Sequence, residues 1–271
     1  GCQFACNYCY AVKEEDASAA NQAGALVKTN LVGILKKKLD EIPRHSKKIT
    51  IRPSIAIGGI TDPYQEAEKE MMITKSCIEL ISEKEYPLQI FTKSDLILRD
   101  ADIISSYSSK GLAAVNVTIF TLNESHWRVF ETHTPHPEAR LELISSLKKR
   151  DILCGILLAP IFPYLNDSVQ DIENIFKAAK KIGAEYIIPG CYRPLNSVVK
   201  KRMTKILKER FKNVLEKFNS IYGLSTCVNA NYSEMLEKTL LSLSKKYEIP
   251  LSIPVPVAKP VALTLNVNPV S

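Results

Sequence analysis

The chain has 271 residues, of which 45% are hydrophobic, and a net charge of +7. This length and composition predict one large globular domain with a sizeable core. No apolar run reaches the roughly 18 residues that a membrane span requires, and there is no signal-peptide pattern, so the sequence predicts no contact with a membrane. The chain has seven cysteines, an odd number, and the four that follow the first ten residues lie far apart. This argues against a disulfide framework and predicts a reducing, cytoplasmic setting.

Short apolar runs alternate with amphipathic segments along the chain. The apolar runs predict strands at about 49–58, 88–92, 113–121, 152–159 and 186–188. Helical periodicity predicts helices at about 26–42, 63–84, 99–110, 137–150, 167–182, 197–222 and 234–247. We expect Asp62 to cap the second of these helices and Pro160 to end the fourth strand. The alternation is typical of an α/β fold, in which helices cover a parallel sheet.

The first ten residues contain three closely spaced cysteines, Cys2, Cys6 and Cys9, with Tyr8 directly before the third. The C-x3-C-x2-C spacing places three thiolates on one loop, within reach of one metal centre. Zinc would require a fourth protein ligand, and the next cysteine along the chain is Cys77. Three thiolates without a local fourth ligand favour a [4Fe–4S] cluster with one iron left open, and a zinc knuckle is the alternative.

Further motifs follow the predicted strands at their C-terminal ends, where a barrel enzyme keeps its active site. They are Gly58-Gly59-Ile60-Thr61-Asp62-Pro63, Thr92-Lys93-Ser94, Leu98-Arg99-Asp100, Thr118 with Thr121, Glu131 to Pro135, Ala159 to Pro163, and Asn166-Asp167. Each has an ordinary explanation as well: a tight turn and helix cap, a surface lysine, threonine's preference for strands, or core filling.

Together these residues resemble a known enzyme superfamily. The loop C-x3-C-x-Φ-C, with Tyr8 as the aromatic Φ, resembles the cluster loop of radical S-adenosylmethionine (SAM) enzymes. The order of motifs over residues 1 to about 190, T-D-P-Y-Q, T-K-S, R-D, E-x-x-x-P, A-P-I-x-P and N-D after the cysteines, resembles the branch related to spore photoproduct lyase.

The resemblance implies a fold and a reaction. It implies a partial (βα)6 TIM-type barrel over residues 1–248, with the first strand missing from this chain, followed by a proline-rich strap over 249–271. It implies a lyase-like enzyme in which SAM fills the open iron site of the cluster. One electron from an external reductant then cleaves SAM and yields a 5′-deoxyadenosyl radical, which acts on an unknown substrate.

The resemblance also assigns residues to the cofactors. Thr61, Lys93 and Thr118 match positions that bind the methionine end of SAM. The predicted cofactor-binding residues are Tyr8, Gly58, Gly59, Thr61, Asp62, Lys93, Thr118 and Ile161, the last as an apolar contact for adenine. The glycines let the backbone approach a ligand closely, and the helix start beyond them favours a carboxylate.

One position departs from the lyase itself. In the lyase, the residue before the position of Thr61 is a cysteine that donates a hydrogen atom. In this chain that residue is Ile60. The sequence therefore does not predict repair of thymine dimers by the lyase's own route. Cys191, directly after the last predicted strand, is the candidate donor, and a small buried hydrophobic residue is the alternative for it.

The basic residues are clustered in short runs. The runs are Lys36 to Lys38, Lys47-Lys48, Lys148 to Arg150, Lys180-Lys181 and Lys200 to Arg202. They form either the solvated outer face of a helical layer or a nucleic-acid footprint. Kinship and charge make nucleic acid the first substrate class to consider. The alternative function is a non-catalytic iron–sulfur or zinc module whose basic surface binds nucleic acid or another partner.

Overall fold

The computed structural model describes residues 1–11, 27–42, 54–223 and 225–254. Five parallel strands form one sheet in the order in which they occur in the chain. They are β1 (Ile55–Ile57), β2 (Leu88–Thr92), β3 (Ala113–Thr118), β4 (Cys154–Ile161) and β5 (Ile187–Cys191). This confirms the five predicted strands, although the first part of the first prediction, 49–53, lies outside the described residues.

Helices connect and cover the strands. They are α1 (Leu31–Glu41), α2 (Glu68–Met71), α3 (Ile73–Glu83), α4 (Ala101–Ser108), α5 (Glu124–Phe130), α6 (Pro137–Lys148), α7 (Val169–Ile182), α8 (Ser197–Arg210), α9 (Lys212–Tyr222) and α10 (Ala230–Tyr247). The parallel order confirms the α/β fold of a partial TIM-type barrel and brings the C-terminal ends of all five strands to one edge. No helix within the described residues is long and apolar enough to cross a membrane.

The core lies around β3, in which all six residues are buried. A central strand of a parallel sheet is covered on both faces, so burial in β3 does not alternate, and even its polar residues Asn116 and Thr118 are buried. The helices contribute apolar stripes to the same core. In α7 the stripe consists of Ile172, Ile175, Phe176 and Ala179.

The helix predicted over 63–84 is wrong in its first part. Residues 58–67 form a loop, and two helices, α2 and α3, follow it with Met72 in the left-handed region between them (φ 49°). The break is stabilised by the Glu68 carboxylate, which accepts a hydrogen bond from the backbone N–H of Thr74 at 3.0 Å. Asp62 therefore caps no long helix, because its carboxylate bonds instead to the end of β2.

Two further boundaries differ from the prediction. Pro160 does not end the fourth strand, because β4 continues to Ile161 with a shift in its register against β5 between Leu158 and Ile161. The helix predicted over 197–222 is two helices, α8 and α9, separated at Phe211 (φ −140°, ψ 53°). The Phe211 ring stacks on Phe130 with centroids 5.9 Å apart, so a tertiary contact decides the break.

Helix α5 was not predicted, although the residue before it provides a helix-start signal. Asn123 is its N-cap and accepts a hydrogen bond from the backbone N–H of Ser125 at 2.9 Å. The start of the predicted strap lies along β5, where Ile187 N–H donates to the carbonyl of Pro250 at 2.9 Å. Residues 255–271 lie outside the described residues, and the division of the chain after 248 stays a prediction.

Gly155, in β4, has no room for a side chain. A Cβ there would lie 2.4 Å from the carbonyl oxygen of Tyr186 and 2.5 Å from its ring. We predict that Gly155→Ala lowers the free energy of unfolding by about 1–3 kcal/mol, because the Tyr186 ring must move. Thermal unfolding followed by circular dichroism measures the change.

The control for this substitution is Gly33→Ala in α1, where nothing lies within 4 Å of an added Cβ. An exposed helical glycine replaced by alanine leaves stability unchanged or raises it, since alanine has the higher helix propensity. Equal unfolding temperatures for the two variants would show that Gly155 is not under steric constraint.

Candidate active site

The three cysteines of the N-terminal loop are brought together by two tight turns. Ala5 N–H donates to the carbonyl of Cys2 at 3.1 Å, and Cys9 N–H donates to that of Cys6 at 3.0 Å. Cys6 is buried, whereas Cys2 and Cys9 are partly exposed, and all three are free thiols. The loop therefore carries the three cysteines on two consecutive turns, and their binding of one metal centre stays a prediction.

Hydrogen bonds fix this loop to the C-terminal edge of the sheet. Asn7 N–H donates to the carbonyl of Phe130 at 2.9 Å, which ties the loop to the end of α5. On the other side, Gln3 N–H donates to Gln65 Oε1 at 2.7 Å, and Glu66 N–H donates to Gln3 Oε1 at 2.6 Å. The loop is thus held between the segment after β1 and the segment after β3.

Glu131 is the central acidic group beneath the loop, and none of its side chain is exposed. It accepts hydrogen bonds from the Tyr8 hydroxyl and from the Arg140 guanidinium. Thr134 Oγ1 lies 3.4 Å from Glu131 Oε2, and Lys93 Nζ lies 3.9 Å from Glu131 Oε1. One buried carboxylate therefore contacts the cysteine loop, α6 and the residue after β2.

Arg140, which is almost fully buried, extends this network to β3. It donates to the carbonyl of Thr118 at 2.8 Å and to that of Pro135 at 2.8 Å. The Tyr8 ring packs on the same side against Phe120 and Phe162, with centroids 5.3 and 5.9 Å apart. Tyr8, predicted to contact the cofactors, thus anchors the loop through both its hydroxyl and its ring.

Asp62 joins the loop after β1 to the end of β2. Its carboxylate accepts hydrogen bonds from Tyr64 N–H at 3.0 Å, Thr92 Oγ1 at 2.8 Å and Lys93 N–H at 2.7 Å. Burial raises the pKa of Asp62, and these hydrogen bonds act against that rise. The carboxylate is occupied within the protein, so its cofactor contact stays a prediction.

The two glycines before Asp62 differ in their constraints. Gly58 has φ +92°, and a Cβ there would lie 2.1 Å from the carbonyl oxygen of Phe91, so the close approach is to the neighbouring strand. A Cβ on Gly59 would meet nothing within 4 Å. The Tyr10 hydroxyl donates to the carbonyl of Gly59 and connects this loop to the cysteine loop. Thr61 is exposed at the same edge.

The other predicted residues lie at the ends of β3, β4 and β5. Thr118 ends β3 and is buried, and Ile161 ends β4 with none of its side chain exposed. In this position Ile161 fills the core, and its contact with adenine stays a prediction. Cys191 ends β5 and is half-buried, and burial, with the nearby Asp167, raises the pKa of its thiol.

Cys6 and Lys93 influence each other's pKa. Burial raises the pKa of Cys6 to about 12, against the lowering effect of the Lys93 cation. Burial also disfavours the charge on Lys93, yet Cys6 and Glu131 raise its pKa above the usual value. The lysine side chain is 16% exposed, so it remains accessible from the mouth of the site.

The donor set fits a cluster better than a single ion. Among the residues that the structure describes, no three His, Cys, Asp or Glu side chains are grouped closely enough to hold one metal ion. A closed zinc site needs four such ligands. In a [4Fe–4S] cluster each thiolate binds its own iron, so the ligands surround a larger centre. Three free thiols on one anchored loop fit that requirement.

The match of the chain to a protein family agrees with this geometry. Residues 1–179 match the family described as the Radical SAM superfamily, and this range contains the cysteine loop and the first four strands. The chain belongs to the radical SAM superfamily. It is a radical SAM enzyme whose reaction is unassigned, as the cysteine spacing and the later motifs predict.

Relatives of this radical SAM enzyme occur in bacteria and archaea. An uncharacterized protein of Mycobacterium tuberculosis is 27% identical over 255 residues, which cover 92% of this chain and 73% of that protein. An uncharacterized protein of Methanocaldococcus jannaschii is 31% identical over 169 residues, which cover 62% of this chain and 60% of that protein.

Solved structures show the same fold. Spore photoproduct lyase complexed with dinucleoside spore photoproduct superposes with a TM-score of 0.68 at 15% identity, over 93% of this chain and 74% of the lyase. SuiB of Streptococcus suis bound to S-adenosylmethionine superposes with a TM-score of 0.53 at 13% identity, over 80% and 46% of the two chains. Both confirm the partial TIM-type barrel of the radical SAM enzyme.

Glu131 lies in one of the sequence motifs and Arg140 follows it nine residues later, but neither had a predicted role. The sequence did contain a signal for this pair. An acidic residue and an arginine that both follow the end of a strand often form an ion pair when the fold buries them. The bonds from Gln3 to Gln65 and from Tyr10 to Gly59 carried no sequence signal, because they join segments about fifty residues or more apart.

We predict that Glu131→Gln destabilises the radical SAM enzyme by about 3–5 kcal/mol, because it leaves the buried Arg140 cation without its counter-charge. Urea unfolding measures the change. The control is Glu138→Gln, since the Glu138 side chain is 83% exposed, and we expect it to shift stability by less than about 0.5 kcal/mol. A Glu131→Gln protein as stable as this control would refute the role of the network.

Proposed function

We propose that this protein binds a [4Fe–4S] cluster through Cys2, Cys6 and Cys9 and uses it to cleave SAM reductively. When bound, the cluster supplies one electron, taken from an external reductant, that converts SAM to methionine and a 5′-deoxyadenosyl radical for attack on a substrate. All seven cysteines are described and free, which supports a reducing compartment such as the cytoplasm.

The observation that carries this proposal is the anchoring of the cysteine loop beside Lys93. Tyr8 ties the loop to Glu131, and Lys93 Nζ lies 6.0 Å from the centre of the Tyr8 ring. One cation and three thiols are therefore held at the C-terminal edge of a parallel sheet, where barrel enzymes carry their active sites. A solvated loop with the same cysteine spacing would not require such an anchor.

Lys93 is the residue that we assign to the carboxylate of SAM. Its 3.9 Å separation from Glu131 Oε1 is longer than a hydrogen bond, so the ammonium group keeps donors for a second carboxylate. Thr61 is exposed at the same edge and would contact the methionine end. We propose that Thr118, Gly58, Gly59 and Asp62 support the site, because each of them already contacts another part of the protein.

The hydrogen donor in this proposal is Cys191 rather than a residue of the loop after β1. Ile60 is 71% exposed but has no readily donated hydrogen. Cys191 lies at the end of β5, and its raised pKa keeps the thiol in the S–H form at neutral pH. We therefore propose a reaction other than thymine-dimer repair by the lyase's route, with nucleic acid as the first substrate class to test.

The proposal predicts that Cys6→Ala abolishes both the cluster and SAM cleavage, because a site with three thiolates has no spare ligand. After anaerobic reconstitution, the cluster is followed by its visible absorbance, and 5′-deoxyadenosine is measured by chromatography with dithionite as the reductant. Cys227→Ala is the control, since Cys227 is exposed and lies outside the site. A Cys6→Ala protein with a full cluster and cleavage would overturn the assignment of the loop.

For Lys93→Ala we predict a SAM dissociation constant about ten- to a hundredfold higher, with the cluster retained. The lost interaction is a charge-assisted hydrogen bond worth roughly 1.5–3 kcal/mol. Equilibrium dialysis with labelled SAM measures the affinity, and visible absorbance reports the cluster. Lys75→Ala, in α3 where the side chain is partly exposed, is expected to bind SAM normally. Unchanged affinity in Lys93→Ala would remove this lysine from the site.

A further inference from the structure

The net charge of the protein is concentrated in one segment. Residues 197–217, which comprise α8 and the first half of α9, contain eight Lys or Arg and two Glu, a net charge of +6. The whole chain has a net charge of +7. The other 250 residues are therefore close to neutral, and the positive field of the molecule originates mainly from these two helices.

Four lysines of this segment lie on one face. Lys201, Lys205, Lys208 and Lys212 line a single concave surface, together with one carboxylate, Glu209. In α8, intervals of four and three residues place Lys201, Lys205 and Lys208 one above the other along the helical surface, and Lys212 is the first residue of α9. Like charges at these intervals destabilise a helix, so the arrangement favours a ligand that neutralises them.

These lysines have no counter-charge among the residues that the structure describes. Over residues 1–11, 27–42, 54–223 and 225–254, no carboxylate lies within ion-pairing distance of Lys201, Lys205, Lys208 or Lys212. Elsewhere lysines are commonly paired, as Lys148 is with Glu185 at 2.6 Å and Lys246 with Glu173 at 2.5 Å. The basic face is thus available for an external anion.

The apolar side chains of this segment are buried, which argues against an anionic membrane surface as the ligand. Val199, Met203 and Leu207 of α8 are buried, as are Val214 and Phe218 of α9. An interfacial helix needs an exposed apolar face to insert between lipids. This face offers charge without exposed large apolar side chains, which suits a polyanion in solution.

The lysine spacing suits a chain of phosphates. At 1.5 Å per residue, Lys201, Lys205 and Lys208 follow one another along α8 at intervals of about 6 and 4.5 Å. A nucleic acid carries its charges at regular intervals along the backbone, and lysines that neutralise them release counterions. An acidic protein surface has no such regular spacing, so the basic face fits nucleic acid best.

An exposed aromatic side chain lies beside the same segment. Tyr164 is 45% exposed, follows the end of β4, and has its backbone in the left-handed region (φ 61°). Lys217 Nζ of α9 lies 5.6 Å from the centre of its ring. Aromatic rings next to cations are the surfaces on which unpaired bases stack. Tyr164 also stands at the sheet edge that carries the cysteine loop.

We propose that the lysine face of α8 and α9 binds the phosphate backbone of a nucleic acid and that Tyr164 stacks on an unpaired base. The proposal rests on the proposed function for the reaction that follows, because it names the substrate class of that site. Binding itself requires neither an electron nor SAM cleavage, so the two can fail separately.

The test is the affinity of the reconstituted protein, without reductant, for a fluorescein-labelled single-stranded oligonucleotide, measured by anisotropy at several salt concentrations. In the triple variant Lys201→Gln, Lys205→Gln, Lys208→Gln we expect at least a tenfold loss at low salt. Each lost phosphate contact lowers the slope of log affinity against log salt by about 0.7, so the slope falls by about 2.

The matched control is the triple variant Lys36→Gln, Lys37→Gln, Lys38→Gln, which removes the same charge from an exposed run on α1. We expect wild-type affinity and slope. An equal loss in both triples would attribute binding to net charge and overturn the proposal, as would no loss in the α8 triple. Binding to phosphatidylserine vesicles without binding to the oligonucleotide would identify a membrane surface instead.

Tyr164→Leu tests the stacking part, since it keeps an apolar side chain but removes the ring. We expect about tenfold weaker binding of the single strand with an unchanged salt slope, and unchanged binding of a duplex, whose bases are already stacked. Equal losses for single strand and duplex, or no loss, would remove Tyr164 from the surface. Absence of SAM cleavage in the wild-type protein would refute the proposed function and leave these binding results standing.

Discussion

The buried carboxylate of Glu131 is the interaction on which the rest of the site depends. It meets Tyr8 from the cysteine loop, Arg140 from α6 and Lys93 from the end of β2. A buried charge is costly unless it is paired and hydrogen-bonded, and a partly broken pair is worse than none. These partners therefore cannot be changed one at a time. The network adds little net stability for its size, but it holds the cysteine loop in one position on the sheet.

Much of the fold could be predicted because its signals are local. Cys154–Ile161 is a continuous apolar run, and such a run indicates burial on both faces whatever its neighbours are. The errors fall where a distant residue decides the backbone. Phe211 leaves the helix because its ring stacks on Phe130, and the segment before Glu68 is not helical because Asp62 bonds to Thr92 and Lys93. Neither contact has a period or a spacing in the sequence.

The same division applies to the site. Three cysteines within eight residues lie close together in any conformation of the chain. Their proximity therefore follows from the short chain length between them. The role of Glu131 could not be derived in this way, because its partners lie 9, 38 and 123 residues away in the chain. Ile161 shows the opposite case: its position at the end of β4 was predictable, but whether its side chain faces a ligand or the core depends on how β4 and β5 pair.

The charges of the protein are arranged in two ways that call for different ligands. At the sheet edge the buried charges are compensated within the protein: Glu131 by Arg140, and Asp62 by three hydrogen bonds. Lys93 is the exception, because its ammonium group stands at 3.9 Å from Glu131, which Tyr8 and Arg140 already satisfy. A small ligand with one carboxylate can pair with Lys93 without displacing either partner. Lys201, Lys205 and Lys208 of α8 have no ion-pair partner within the described part of the chain, so they suit an extended polyanion rather than a single small ligand.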